Sequence, residues 1–303
     1  MADERIDCLI IGGGPAGLTA ALYLARYRRK VVVADAGASR ARLIPRSHNL
    51  AGFPQGISGR DMLLRMREHA VGYGADIRDE TISALGMDEG WFHAESRRLS
   101  YRASTTILAT GVTDVLPDAK GLDAAIAAGL IRLCPVCDAF EASGKRLAVL
   151  GNSLSSISKA NFLRRYSDDV SFVVHPPLVL GHEERRNLGN QAIAICDGDY
   201  RGMEFGEDRV TLDLGGSIRD FDIVYPALGS KVHSDLASGL GVVSTEDGCI
   251  VVGRHQETSV PGLYAAGDVV VALDQIAVAI GQAAIAATAS HNWLCERENG
   301  ASA

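Results

Sequence analysis

Two stretches of this chain share one rhythm, and that repeat constrains the fold more than any other feature. In the first, an apolar run from Asp7 to Ile11 leads into Gly12-Gly13-Gly14-Pro15-Ala16-Gly17. Helical character follows from Leu18 to Arg26, and a β-branched strand from Lys30 to Ala34 ends at Asp35. Strand, glycine turn, helix, strand and acid in that order make a complete βαβ unit of the nucleotide-binding type. In the second, Arg146 to Leu150 reads as a strand, Gly151-Asn152-Ser153-Leu154-Ser155-Ser156 as a turn, Ser155 to Arg165 as a helix and Val170 to Val174 as a strand. Strands that alternate with helices imply parallel sheets, and the repeat implies internal duplication. The expected fold is α/β, with two Rossmann-like (three-layer ββα) nucleotide-binding domains.

Other segments suggest the boundaries. Thr106-Ile107-Leu108-Ala109-Thr110-Gly111 reads as a buried strand ending in a tight turn, Pro117 to Gly121 as a link, and Asp222 to Gly229 as an apolar strand with a glycine exit. The chain then returns to its first domain through Val260-Pro261-Gly262-Leu263-Tyr264-Ala265-Ala266-Gly267-Asp268 and a final helix from about Asp274. We therefore expect a discontinuous first domain, residues 1–117 and 245–303, with a second, 118–244, inserted into it. The length of 303 residues fits about two domains.

Net charge is -7, with Lys and Arg interspersed among acids, which argues against a nucleic-acid-binding face. Met1-Ala2-Asp3-Glu4-Arg5 carries no basic, apolar leader, and the apolar stretch Ile276 to Ala289 is broken by Gly281 and Gln282 and too short to cross a bilayer. A soluble, cytoplasmic protein without membrane partners is expected. Six cysteines with one close pair do not resemble a secreted disulfide framework.

In the first turn, Gly12 permits the sharp bend, Gly14 lets backbone approach a pyrophosphate, and Gly17 lets helix pack on strand. The helix start at Pro15 and Ala16 offers N–H groups and partial positive charge to phosphates. Asp35 is placed to accept from a ribose hydroxyl. Gly267 and Asp268 separate FAD from NAD, since a carboxylate after a strand-end glycine reaches the sugar-like chain or phosphates of an extended flavin nucleotide. With Ala109, Thr110 and Gly111 they make a flavoprotein signature. Between the two units stands Cys134-Pro135-Val136-Cys137-Asp138. Zinc would need two more ligands at comparable spacing, and Cys8, Cys196, Cys249 and Cys295 stand alone. Two merely adjacent buried cysteines satisfy the spacing as well, but a redox pair at a helix start fits best, with Asp138 as proton shuttle or simply a helix N-terminal acid.

These motifs, with Asn49-Leu50-Ala51-Gly52-Phe53-Pro54 and Thr258 to Val269, resemble the low-molecular-weight thioredoxin reductase family over nearly the full length. The resemblance implies FAD in the first domain and a homodimer. It also implies that Cys137 faces the flavin, that Cys134 exchanges with a thioredoxin-like partner, and that Asp138 is the acid. Asn49 falls in a family motif, and Gln275, followed by Ile276, sits where the family places a flavin-contacting glutamine.

The second turn departs from the family. Asn152-Ser153-Leu154 replaces its glycines, Ser156 stands where Gly or Ala is expected, and His175-Pro176-Pro177-Leu178 lacks the arginines that hold the 2′-phosphate of NADPH. Asp274 stands where the family usually has an arginine, and Arg185 and Arg186 read as a solvated helix face. Ordinary NADPH-driven turnover is therefore not expected. Three functions remain open: a thioredoxin reductase-type enzyme fed by ferredoxin or another donor, with a second flavin or other nucleotide in the altered domain; a flavin-dependent dithiol oxidase using oxygen on a small dithiol; and a non-enzymatic flavin redox sensor.

Overall fold

The computed structural model describes residues 4–300; Met1–Asp3, the leading part of the terminus considered above, lie outside them. The chain divides into two compact units: Met1–Arg42, Gly59–Thr113 and Val232–Ala303 form the first, and Leu43–Ser58 and Asp114–Lys231 the second.

The first unit is built on a seven-stranded sheet. From one edge, Asp76–Asp79, Val31–Asp35, Glu4–Ile11 and Ser100–Leu108 run parallel. The nine-residue strand Ser100–Leu108 serves two partners along its far edge. Its first half pairs antiparallel with Trp91–Ser96, which continues to Ile82–Asp88, and its second half pairs parallel with the returning strand Leu263–Ala265. Alternation decides the layers. Cys8, Ile10, Val31, Val33 and Ile107 point to one face, where they meet the helices Pro15–Arg26 and Ile276–Gly300. Leu9, Ile11, Val32, Ala34 and Leu108 point to the other, onto Phe92, Ala94, Tyr101 and Ile250. Both covering helices present small residues, Ala16, Ala20 and Ala21 on one and Ala279, Ala283, Ala286 and Ala287 on the other, so they lie close to the sheet and to each other.

The second unit holds a four-stranded parallel sheet in the order Ala194–Cys196, Val170–Val174, Leu147–Gly151, Ile223–Ala227, and a separate three-stranded antiparallel sheet, Gly202–Phe205, Val210–Asp213 and Ile218–Phe221. Its strands Leu147–Gly151 and Ile223–Ala227 are buried along their whole length, as a sheet covered on both sides requires. The expected helix Ser155 to Arg165 is shorter: Leu154–Ser156 is a 3-10 turn, and α-helix runs only over Ile157–Leu163. Serine hydroxyls explain the loss. Ser156 Oγ donates to the carbonyl of Ser153, and Ser158 Oγ donates to that of Ser155 at 2.7 Å, bonds that compete with regular helix. Among the described residues no helix is long and apolar enough to cross a membrane.

Candidate functional site

In the first unit the glycine turn is shaped by close approach. Gly12 has φ +114°, and a Cβ there would lie 2.2 Å from the carbonyl oxygen of Ala109. A Cβ on Gly17 would lie 1.8 Å from the carbonyl oxygen of Gly12, so only glycine lets the Pro15–Arg26 helix start against the strand. Gly14 differs. Its backbone is extended, φ -80° and ψ -172°, and a Cβ would meet nothing nearer than Ser39 Oγ at 3.2 Å. Gly14 precedes the helix and no side-chain oxygen caps it, with Pro15 in the first turn. First-turn N–H groups beside an unfilled Cβ position make a cradle for an anionic group.

Around this cradle stand the other expected residues of the first unit. Asp35 lies over the turn, its carboxyl at 2.2 Å from where a Gly13 Cβ would be, and accepts from the N–H of Gly37 at 2.9 Å. Gly267, at φ +84°, donates its N–H to Gln282 Oε1 at 2.9 Å and packs so that a Cβ would sit 3.0 Å from that of Ala16. Asp268 pairs with Arg40 at 3.0 Å, and Asp274 lies 3.7 Å from the same guanidinium. Ala109 and Gly111 flank Thr110, whose hydroxyl donates to the carbonyl of His233 at 2.5 Å. Gln275 donates to the carbonyl of Asp274 at 2.9 Å just before Ile276 opens the last helix. Arg40 had no signal in the sequence, since it meets Asp268 across a separation of 228 residues; Gln282 was not singled out as a site residue either. The glycine cradle, the ordered carboxylates and the helix start fit an extended dinucleotide such as FAD.

The second unit carries the cysteines. Cys134 and Cys137 are joined as a disulfide, with Cα atoms 5.3 Å apart. Cys134 precedes the single turn Pro135–Asp138, in which Pro135 is pre-set for a helix start and the Cys137 N–H reaches the Cys134 carbonyl at 3.0 Å. Asp138, mostly buried, accepts at Oδ1 from the phenol of Tyr225 at 2.9 Å, with the Arg132 guanidinium 4.0 Å away. Arg132 also donates to the backbone carbonyl of Asp138 at 2.8 Å. Burial pushes the Asp138 carboxyl up to about 6, against the opposing pull of Arg132 and Tyr225. Glu141 adds to the rise, and His48, 3.8 Å from Glu141, reduces it. Neither Arg132 nor Tyr225 was singled out from sequence; Arg132 lies two residues before Cys134, but Tyr225 is reached only through the fold. Asn49, grouped with this unit, accepts from the Ser47 hydroxyl at 3.1 Å. Beside the disulfide, Phe140 is 78% exposed.

The second glycine turn is filled by its own side chains. Asn152 donates its amide to the carbonyl of Leu228 at 3.0 Å, Ser153 and Ser155 share a hydroxyl bond at 2.9 Å, and Leu154 points outward, half exposed. A Cβ on Gly151 would lie 2.5 Å from the Phe172 ring. Arg185, expected to be a solvated face, is held by both carboxylate oxygens of Asp197. His175 stacks on Tyr200, ring centres 5.1 Å apart. The other cysteines are dispersed. Cys8 and Cys196 are buried, the Cys8 thiol pushed up to about 12 by burial, while Cys295 meets Arg29 at 3.0 Å. Among the described residues no group of three or more His, Cys, Asp and Glu is arranged to hold a metal ion.

A parallel-sheet protein with a dinucleotide cradle and a helix-start disulfide backed by a buried acid is a disulfide oxidoreductase by construction. The chain matches the pyridine nucleotide-disulphide oxidoreductase family over residues 6–283 and belongs to it, as a thioredoxin reductase-like flavoprotein. It is 33% identical to a thioredoxin reductase of Aquifex aeolicus over 88% of this chain and 86% of that one. It is also 29% identical to a thioredoxin reductase of Mycolicibacterium smegmatis over 96% and 97%. Among solved structures, that of HlmI superposes with a TM-score of 0.91 at 29% identity, covering 98% of this chain and 95% of that one. A thioredoxin reductase from Streptococcus pyogenes superposes with a TM-score of 0.89 at 26% identity, covering 97% and 100%.

Proposed function

We propose that the chain is an FAD-dependent thiol-disulfide oxidoreductase that drives the Cys134–Cys137 pair without NADPH. Electrons pass from flavin to the pair and on to a thioredoxin-like protein. Gly12, Gly14 and Gly17 would hold the flavin's pyrophosphate, and Asp35 its adenosine ribose. Asp268, carried by Arg40, stands for the sugar-like chain. Bound there, the flavin supplies a two-electron centre that also exchanges single electrons with a carrier such as ferredoxin. Reduction of the disulfide takes two electrons and two protons; Asp138, its carboxyl raised by burial to about 6, gives one proton to the departing sulfur. Cys134, its proton returned to Asp138, then attacks the partner's disulfide as a thiolate, and Cys137 resolves the mixed disulfide. Homodimerisation and cytoplasmic residence belong to the same reading and rest on the family resemblance.

The observation that carries the proposal is the self-filled turn Gly151–Ser156. Its polar side chains take up neighbouring backbone carbonyls, and Arg185 is paired with Asp197, so a pyrophosphate meets side chains at this turn. The same turn supports a second reading, a dithiol oxidase, because electrons running from a small dithiol through flavin to oxygen need no pyridine nucleotide.

The test is an anaerobic titration of the flavin-loaded protein with NADPH and with NADH, following oxidised-flavin absorbance, and a count of flavins per chain. No bleaching by either nucleotide, with bleaching by dithionite or reduced ferredoxin, is expected. Rapid stoichiometric bleaching by NADPH sinks the proposal. Rapid reoxidation by oxygen, with turnover of small dithiols and no thioredoxin reduction, selects the oxidase.

A further inference from the structure

Tyr225 is fully buried in the strand Ile223–Ala227, its ring packed with Val149, Ala160 and Leu163. A phenylalanine ring fills such a place equally well, and a buried hydroxyl costs free energy unless it is bonded. Here the hydroxyl is bonded: it donates to Asp138 Oδ1 at 2.9 Å, while Arg132 stands 4.0 Å from the same oxygen and clamps the Asp138 backbone at 2.8 Å. We propose that Tyr225 is a positioning residue that fixes Asp138 as the proton exchanger of the Cys134–Cys137 pair, with Arg132 as countercharge. It rests on the assignment of Asp138 as that exchanger.

The chemistry follows from donor and acceptor roles. Burial first, and then the charge of Asp138, hold the phenol far above its usual range, so Tyr225 is a donor throughout. Oδ1 is therefore an acceptor in both protonation states, and the exchangeable proton resides on Oδ2. When two electrons reach the disulfide and cleave the sulfur–sulfur bond, one sulfur stays a thiolate and the departing one takes the Oδ2 proton. The carboxylate left behind is stabilised by the phenol and the guanidinium. In the oxidising direction the same proton returns to Oδ2. The groups that face Asp138 are Arg132, Tyr225, Glu141 and His48, and of these the two donors hold the carboxyl down against burial and Glu141.

The test uses the flavin-loaded protein with its disulfide reduced by a phosphine. Alkylation of Cys134 and Cys137 by iodoacetamide is followed separately by mass spectrometry across the pH range, beside the pH profile of disulfide reduction. In the unsubstituted protein an inflection near pH 6 is expected. Tyr225→Phe removes one bond to the carboxylate and moves the inflection up by about one unit, with flavin content unchanged. Asp138→Asn removes the inflection, and Asp138→Asn with Tyr225→Phe behaves as Asp138→Asn alone. Replacing Tyr225 by 3,5-difluorotyrosine, a stronger donor of the same shape, moves the inflection down and serves if the phenylalanine variant does not fold. An unmoved inflection in both Tyr225 variants, where Asp138→Asn abolishes it, overturns the role of Tyr225 alone. An inflection that survives Asp138→Asn overturns the assignment of Asp138 beneath it.

Discussion

Gly14→Ala separates what the glycine turn does for the fold from what it does for its ligand. The extended backbone of Gly14, φ -80° and ψ -172°, suits alanine, and the added methyl meets only Ser39 Oγ at 3.2 Å, a hydroxyl able to rotate away. The less flexible unfolded chain stabilises the variant by about 0.4–1 kcal/mol, and alanine's poorer start of a helix offsets that by a few tenths. The apoprotein should therefore melt within about two degrees of the unsubstituted one. On the proposed placement, however, the methyl occupies the face from which a pyrophosphate would reach the first-turn N–H groups. Losing one hydrogen bond to a charged group costs roughly 1.5–3 kcal/mol, or about ten- to hundredfold in Kd. The assay is a fluorescence titration of apoprotein with FAD, beside a thermal melt. Gly17→Ala is the control: its Cβ falls 1.8 Å from the carbonyl oxygen of Gly12, so fold and flavin binding should fail together. Wild-type FAD affinity in Gly14→Ala would refute the placement of the pyrophosphate over this residue.

Cys137→Ser and Cys134→Ser should each keep full flavin content and abolish disulfide reduction, read by loss of thioredoxin-linked thiol release. Asp138→Asn should stabilise the protein while it harms turnover. The folded-state value of about 6 exceeds the ordinary 3.8, so the stability that Asp138 contributes is fully present below pH 4 and is lost as pH rises through 6. Two units amount to an upper bound of about 3 kcal/mol. Urea unfolding of Asp138→Asn at pH 8 should show a gain approaching that bound, and at pH 3.5 none. Phe172→Ala empties a fully buried site against Gly151 and should cost about 3–5 kcal/mol in urea unfolding; a cost below 1 kcal/mol would mean that the ring does not support the turn.

The local parts of this architecture were legible in the sequence because they are written in consecutive residues. The glycine spacing of residues 12–17, the β-branched run to Asp35 and the pair Cys134 and Cys137 each carry their own geometry. The serines of the second turn read as replacements for the family's glycines, and their hydroxyl bonds to the backbone also delay the helix to Ile157, an effect that depends on rotamers and not on residue type alone. What could not be read is made by pairing across the chain. Tyr225 meets Asp138 because Ile223–Ala227 docks beside Leu147–Gly151. Arg40 meets Asp268 because Leu263–Ala265 returns to Thr106–Leu108. The grouping of Leu43–Ser58 with the second unit likewise has no mark in composition.

On the proposed flavin site, that returning strand makes synthesis as far as the last helix a condition of loading the cofactor. During synthesis Gly12–Gly17 emerges first, yet until Leu263–Ala265 arrives the outer edge of Thr106–Leu108 has no partner. Until the alanines of the last helix follow, the faces of Cys8, Ile10 and Ile107 have no cover. The carboxylate of Asp268 and the carrier Arg40 come together only then. A chain cut short after its second unit owns an intact phosphate turn and an intact disulfide but no closed flavin site. On that reading, bound flavin reports that the returning strand and the last helix have docked, so topology alone ties cofactor loading to the late part of the chain.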